Sequence, residues 1–155
     1  MKWWLSHVVV PLAASAIVAG ATLCAIFCGG SSGGPRGTIT SPTDGSAVPR
    51  TFTAAGTLTD IGSQSHVWLV VQSNGLLFPK APELEVQQSW IMQSIETGVP
   101  AGGRFSLILI VVGEEGERRI EAWLTRGEAT GTYPGLNRVP DSEKLDTATE
   151  LIPTG

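Results

Sequence analysis

A single uncharged, almost wholly apolar run over residues 3–27 constrains this chain more than any other feature. Coiled as an α-helix, the run would be about 37 Å long, whereas the hydrocarbon layer of a bilayer is about 30 Å thick. A run of this length without charge is typical of a membrane-spanning helix. We therefore predict a transmembrane anchor over residues 1–28, with the rest of the chain attached to it.

Cleavage of this segment is an alternative to a permanent anchor. Ala19 and Ala21 form an A-x-A pattern after the positively charged Lys2, as in secretory signal peptides. The apolar run nevertheless continues to Phe27 and exceeds the roughly 7–15 residues of a signal-peptide core. The sequence therefore favours an uncleaved signal anchor.

The charges around the apolar run predict its orientation. Lys2 precedes the run, and no Lys or Arg follows it before Arg36. Because positive flanking charge stays on the cytoplasmic side, we expect a cytoplasmic N-terminus. The remainder of the chain is then extracytoplasmic, attached to the cell membrane by one span.

Small residues repeat at a spacing of four inside the predicted span. Ser15 pairs with Ala19 in this pattern, and Ala16 pairs with Gly20. Small residues at this spacing allow two membrane helices to approach closely. The predicted partners of this segment are therefore the lipid bilayer and a second copy of the same helix.

The two cysteines, Cys24 and Cys28, both fall within the predicted anchor. Lipid attachment at either one is a further alternative, which the bulky preceding residues Leu23 and Phe27 disfavour. The chain beyond the anchor has no thiol, so it contains neither a disulfide framework nor a cysteine metal site.

Residues 29–37, GGSSGGPRG, have the composition of a flexible linker. The remaining residues, 38–155, are of a common size for one domain with a single core. The whole chain carries 14 acidic and 10 basic side chains. This balance argues against nucleic acid as a partner, which would require a basic surface.

From residue 38 onward, short β-type runs alternate with turn signals, which predicts a mainly β fold. The segments HVWLVVQ and FSLILIVV are apolar on both faces, so each strand must be covered on two sides. The segment GEEGERRIEAWLTRGEA is amphipathic at helical spacing and is the predicted cover on one side. We predict two short pieces within 39–49, strands over 51–59, 66–72, 76–80, 90–95, 105–112 and 145–152, and one helix over 113–129.

The stretch ITSPTDGSAVPRTFTAAGTLTD resembles the opening of bacterial immunoglobulin-like β-sandwich domains, in which I-x-x-P-x-D-G-x-x-V precedes an alternating strand. The segment HVWLVVQ then places Trp68 where such folds bury a central aromatic residue. The resemblance implies an immunoglobulin-like sandwich over residues 38–155, with the amphipathic helix before the last strand. We expect Trp68 to pack against Phe105 or Leu107 in the core of that sandwich.

Beyond the anchor, His66 is the only histidine, and no GxSxG motif marks a nucleophile. His66 also has no second His or Cys with which to bind a metal, and no acidic segment has calcium-loop spacing. We therefore expect no catalytic residues, no metal site and no cofactor. A pair of carboxylates brought together by folding remains open as an enzymatic alternative.

Trp90 and Tyr133 are the candidate ligand contacts, because each aromatic side chain has polar neighbours and an aromatic ring can stack on a sugar or a peptide. Core packing is the alternative role for Trp90, whereas Tyr133 falls in a Gly/Pro loop. We predict a membrane-tethered, non-enzymatic module that binds or senses a protein or glycan outside a bacterial cell. The alternatives are a structural or effector subunit that oligomerises through its transmembrane helix, and an enzyme of unknown reaction.

Overall fold

The computed structural model describes residues 33–155. Residues Ser32–Gly155 form one compact unit. The predicted transmembrane anchor, its helix-packing residues Ser15, Ala16, Ala19 and Gly20, and most of the predicted linker lie outside the described residues. Within residues 33–155, no helix is long and apolar enough to cross a membrane.

The described chain is mainly β, with two sheets and one helix before the last strand. In chain order the elements are β1 (Arg36–Ser41), β2 (Ala47–Pro49), β3 (Thr51–Thr59), β4 (His66–Ser73), β5 (Leu76–Leu84), β6 (Ser89–Glu96), β7 (Phe105–Val112), α1 (Glu114–Thr130) and β8 (Ser142–Thr154). A three-stranded sheet has the order β1-β3-β6, and a five-stranded sheet has the order β2-β8-β7-β4-β5. The pairs are antiparallel except for the parallel pair of β2 and β8.

The main core lies between the two sheets. Strand β3 alternates buried and exposed residues, as its sequence predicts, and turns Phe52, Ala54 and Leu58 into this core. The facing sheet contributes Leu69 and Leu109 from its central strands, both fully buried. This arrangement of two sheets around one core is compatible with a β-sandwich.

A second core lies on the other face of the five-stranded sheet, beneath α1. Alternate residues of β4 and β7 point to this side, and Ile120 and Trp123 of α1 pack against them. The prediction that both strands are covered twice is therefore confirmed. The helix begins after Gly113 and ends before Gly131, whose positive φ of 69° suits glycine at this position.

Trp68 is buried as predicted, with 3% of its surface exposed, but its predicted contacts are wrong. Phe105 and Leu107 belong to the core between the sheets, whereas Trp68 belongs to the core beneath α1. Successive side chains of a strand point to opposite faces, and both faces of β4 are buried. The apolar pattern of β4 therefore did not predict which of the two cores the Trp68 side chain would join.

Three strands extend more than one residue beyond the sequence prediction. Strand β1 begins at Arg36, inside the predicted linker, because it pairs with β3 from that residue onward. Strand β5 continues past Lys80 to Leu84, and β8 begins at Ser142 and ends at Thr154. In each case pairing with a neighbouring strand extends a segment whose own sequence is polar or contains proline.

Candidate functional site

A groove of about 620 Å³ lies between strand β5, the C-terminal half of α1 and the loop that follows β6. Its walls are largely aromatic and aliphatic, and Phe78, Trp123 and Tyr133 are the aromatic residues that line it. Concave sites with apolar walls and a few polar groups are the usual form of a ligand pocket. This groove is the candidate binding site of the domain.

Tyr133 is held at the groove by packing against two residues of α1, Trp123 and Gly127. Its ring meets that of Trp123 edge to face, with the centroids 5.2 Å apart. The ring also lies on Gly127, where any side chain would collide with it. With 43% of its surface exposed, Tyr133 presents a fixed aromatic face to solvent, and the predicted accessibility of this residue is confirmed.

Trp123 supports this arrangement from within the helix. Its indole N–H donates a hydrogen bond of 2.6 Å to the carbonyl oxygen of Pro134, next to Tyr133 in the sequence. The loop after α1 is thereby fastened to the helix at the point where Tyr133 faces the groove. The aromatic pair is positioned before any ligand arrives, which lowers the cost of ordering it on binding.

Lys80 lies in the same groove as two carboxylates, those of Glu96 and Glu128. Burial lowers the pKa of the Lys80 ammonium group, and the negative charge of Glu96 partly opposes that shift. Lys80 is half-buried on β5, whereas Glu96 is exposed at the end of β6. A ligand in the groove therefore meets a partly desolvated ammonium group beside an aromatic wall.

Trp90, the other predicted ligand contact, lies elsewhere. Only 4% of its surface is exposed, and it belongs to the core between the two sheets. Its indole occupies the space over Gly56, where an added Cβ would lie 2.5 Å from the ring. Trp90 therefore has the core-packing role that was the alternative to ligand contact. It does not line the groove that contains Tyr133.

A second arrangement, which the sequence analysis did not predict, joins three chain segments at the N-terminal end of α1. His66 begins β4, Glu83 is near the end of β5, and Glu117 lies in the first turn of the helix. The imidazole Nδ1 lies 2.9 Å from Oε1 of Glu83 and 3.9 Å from Oε2 of Glu117. The three residues together are called the His66 cluster below.

The carboxylate of Glu117 is the buried member of the His66 cluster. Trp68 donates its indole N–H to Oε2 of Glu117 at 2.6 Å. Burial raises the pKa of the Glu117 carboxyl group, and the hydrogen bond from Trp68 opposes this shift. The negative charges of Glu83 and Glu121 raise the pKa further, whereas His66 lowers it. The cluster therefore gathers two carboxylates around one imidazole in a partly desolvated setting.

The sequence contained one usable signal for this cluster. The strands predicted over residues 66–72 and 76–80 follow one another closely enough to form a hairpin, but the second predicted strand ends at Lys80, before Glu83. In the structure the hairpin continues until Val67 pairs with Leu84, and this places Glu83 beside His66. Glu117 falls within the predicted helix over residues 113–129, but its neighbours depend on how α1 docks.

The comparisons with known proteins do not identify either site. No protein-family model matches this chain, and no curated protein matches it significantly. The class that the structure defines is therefore a mainly β, two-sheet domain with a helix packed on the outer face of its larger sheet.

Proposed function

We propose that this protein is a membrane-tethered, non-enzymatic binding module displayed outside a bacterial cell. The observation that carries the proposal is the exposed ring of Tyr133, fixed by Trp123 at the wall of an apolar groove. An aromatic residue that is held rigid and open to solvent is a typical element of a recognition site.

The cellular placement rests on the sequence. Residues 3–27 form an uncharged apolar run long enough to span a bilayer, and Lys2 stands on its predicted cytoplasmic side. The glycine- and serine-rich residues that follow then separate the folded unit from the membrane surface. Such a tether keeps the groove accessible to a partner outside the cell.

Kinship with bacterial immunoglobulin-like domains is part of this proposal. The two packed sheets are compatible with it, and the stretch over residues 39–60 supplies the sequence resemblance. The helix α1 and the parallel pairing of β2 with β8 are additions to an all-antiparallel sandwich. The helix contributes Trp123, Leu124 and Glu128 to the groove, so the proposed binding site includes part of the element that distinguishes this domain.

The groove suits a ligand with a flat apolar face and a polar group. The face would lie against Tyr133 and Phe78, and the polar group would meet the ammonium group of Lys80. Sugar rings and peptide side chains both offer such a face. The groove is open to solvent at Tyr133, so a ligand attached to a larger partner can enter it.

Site-specific photo-crosslinking in intact cells tests the proposal. A photoreactive phenylalanine analogue at position 133 replaces one aromatic ring by another and should give a discrete crosslinked product. The matched control carries the analogue at Thr53, which is exposed on the outer face of the three-stranded sheet. The product at position 133 should weaken when Lys80 is changed to Ala in the same chain.

Two results would contradict the proposal. The first is the absence of any product at position 133 in cells that display the protein. The second is the same set of products at positions 133 and 53, which would show that the groove has no preference over another exposed surface.

A further inference from the structure

We propose that the His66 cluster is a binding site for a divalent transition metal of the zinc class, with His66, Glu83 and Glu117 as the three protein ligands. This site is independent of the groove and of the proposed binding function. It would join three elements, β4, β5 and α1, through one ion.

The distances between the ligand atoms fit such an ion. Zinc binds imidazole nitrogen and carboxylate oxygen at about 2.0–2.2 Å, which places neighbouring ligand atoms of a tetrahedron about 3.3 Å apart. Here Nδ1 of His66 is 2.9 Å from one carboxylate oxygen and 3.9 Å from the other. One ligand atom from each of the three residues lies within 4.8 Å of the others. Binding of an ion would require side-chain rotations that bring the three ligand atoms to equal spacing.

The chemistry of the ligand set selects the class of metal. Imidazole nitrogen suits zinc and other first-row transition metals, whereas calcium and magnesium prefer oxygen ligands throughout. Two carboxylates and a neutral imidazole carry a charge of −2, which a divalent cation neutralises. The repulsion between Glu83 and Glu117, which now helps to raise the pKa of Glu117, would become an attraction of both to the ion.

The surroundings of the cluster meet two further requirements. Ligating carboxylates are usually held by a hydrogen bond from a neighbouring group, and Trp68 donates one to Glu117. The side chains of His66 and Glu83 are each 35% exposed, which gives an ion a route of entry and leaves room for a water molecule as the fourth ligand.

The test uses the full-length protein purified in detergent, with Cys24 and Cys28 both changed to Ser so that no thiol competes for the metal. Titration calorimetry with Zn²⁺, and visible absorption with Co²⁺, measure binding. The parent should bind one equivalent, and zinc should raise its thermal midpoint. His66→Gln and Glu83→Gln should each weaken zinc binding at least 10-fold.

Glu121→Gln is the matched control, because Glu121 is exposed on α1 about one turn beyond Glu117 and is not a predicted ligand. It should bind zinc within about 2-fold of the parent. Thermal midpoints without metal confirm that each variant is folded, and Glu83→Gln decides the result if His66→Gln does not fold.

The proposal is overturned if the parent binds zinc no more tightly than the Glu83→Gln variant. It is also overturned if Glu121→Gln weakens binding as much as the ligand variants do, since general surface charge would then account for the affinity. The proposal is likewise overturned if the visible absorption of bound Co²⁺ is the same in the parent and in the Glu83→Gln variant.

Discussion

The indole nitrogen of Trp68 and the carboxylate of Glu117 are joined by a hydrogen bond of 2.6 Å beneath helix α1. This bond ties the central strand β4 to the first turn of the helix. It satisfies the only polar atom of the buried tryptophan side chain and gives a buried carboxylate a donor. The helix is therefore fixed at its N-terminal end by a polar contact and along its length by apolar packing.

Replacing Trp68 by Ala should lower the free energy of unfolding by about 3–5 kcal/mol, because it removes a large buried side chain and leaves Glu117 without its donor. Chemical denaturation monitored by circular dichroism measures this change. Tyr133→Ala is the control, since Tyr133 is exposed, and it should cost far less. A change within about 0.5 kcal/mol for Trp68→Ala would contradict the assigned burial.

The raised pKa of Glu117 predicts a pH dependence of stability. Because the folded state holds this proton more tightly than the unfolded state, stability should fall as pH rises from the ordinary value of 4.5 through the raised pKa. Glu117→Gln cannot lose a proton and should lack this part of the decline. As pH rises through that range, the parent should therefore lose stability relative to the Glu117→Gln variant.

Urea denaturation of both proteins at a series of pH values measures this difference. The acids and bases around Glu117 are His66, Glu83 and Glu121, and all three are unchanged in the variant. Glu121→Gln should show a smaller pH-dependent difference. A difference between Glu117→Gln and the parent that stays constant with pH, or moves the other way, would refute the assignment.

Gly127→Ala should destabilise the parent but stabilise a Tyr133→Ala background. In the parent, the added methyl group would collide with the Tyr133 ring. Without that ring, alanine should gain up to about 1 kcal/mol over glycine inside a helix. Thermal unfolding of the four proteins in this double-mutant cycle gives the coupling between the two positions.

Gly116→Ala provides the contrast for that cycle. Its added Cβ would lie 2.6 Å from the carbonyl oxygen of Pro140 and 2.7 Å from Cβ of Val112, so it should destabilise the protein with or without Tyr133. Equal effects of Gly127→Ala in the two backgrounds would show that Tyr133 does not pack on Gly127.

Removing residues 1–31 should convert a membrane-bound protein into a folded protein that stays in solution. Residues Ser32–Gly155 form a compact unit with their own cores, so their folding does not require the apolar segment. Fractionation of cells, with an alkaline wash of the membranes, compares the full chain and the shortened chain. The intact mass of the membrane-bound protein separates an uncleaved anchor from a lipidated one.

A full-length chain that leaves the membrane in the alkaline wash would contradict the predicted anchor. A shortened chain without β-type circular dichroism would contradict independent folding. Protease added to intact cells should degrade the β domain, whereas protection until lysis would reverse the predicted orientation.

The sequence by itself determined the strand and helix types in this protein. The strict alternation of residues 51–59 predicted a half-buried strand, and the two-faced apolar runs in β4 and β7 predicted strands covered on both sides. The amphipathic pattern of residues 113–129 predicted α1. These features depend on neighbours a few residues apart, so a single segment contains all the information they require.

Only the tertiary structure decided which long-range partners meet. Trp68 faces α1 and not the sheet-to-sheet core, because both faces of β4 are apolar and the docking of the helix distinguishes them. His66 meets Glu83 through the register of a hairpin and Glu117 through the placement of a helix. Tyr133 gained a fixed position from Gly127 and Trp123. Each contact depends on how separate elements pack together, and the residue pattern within one element does not contain that information.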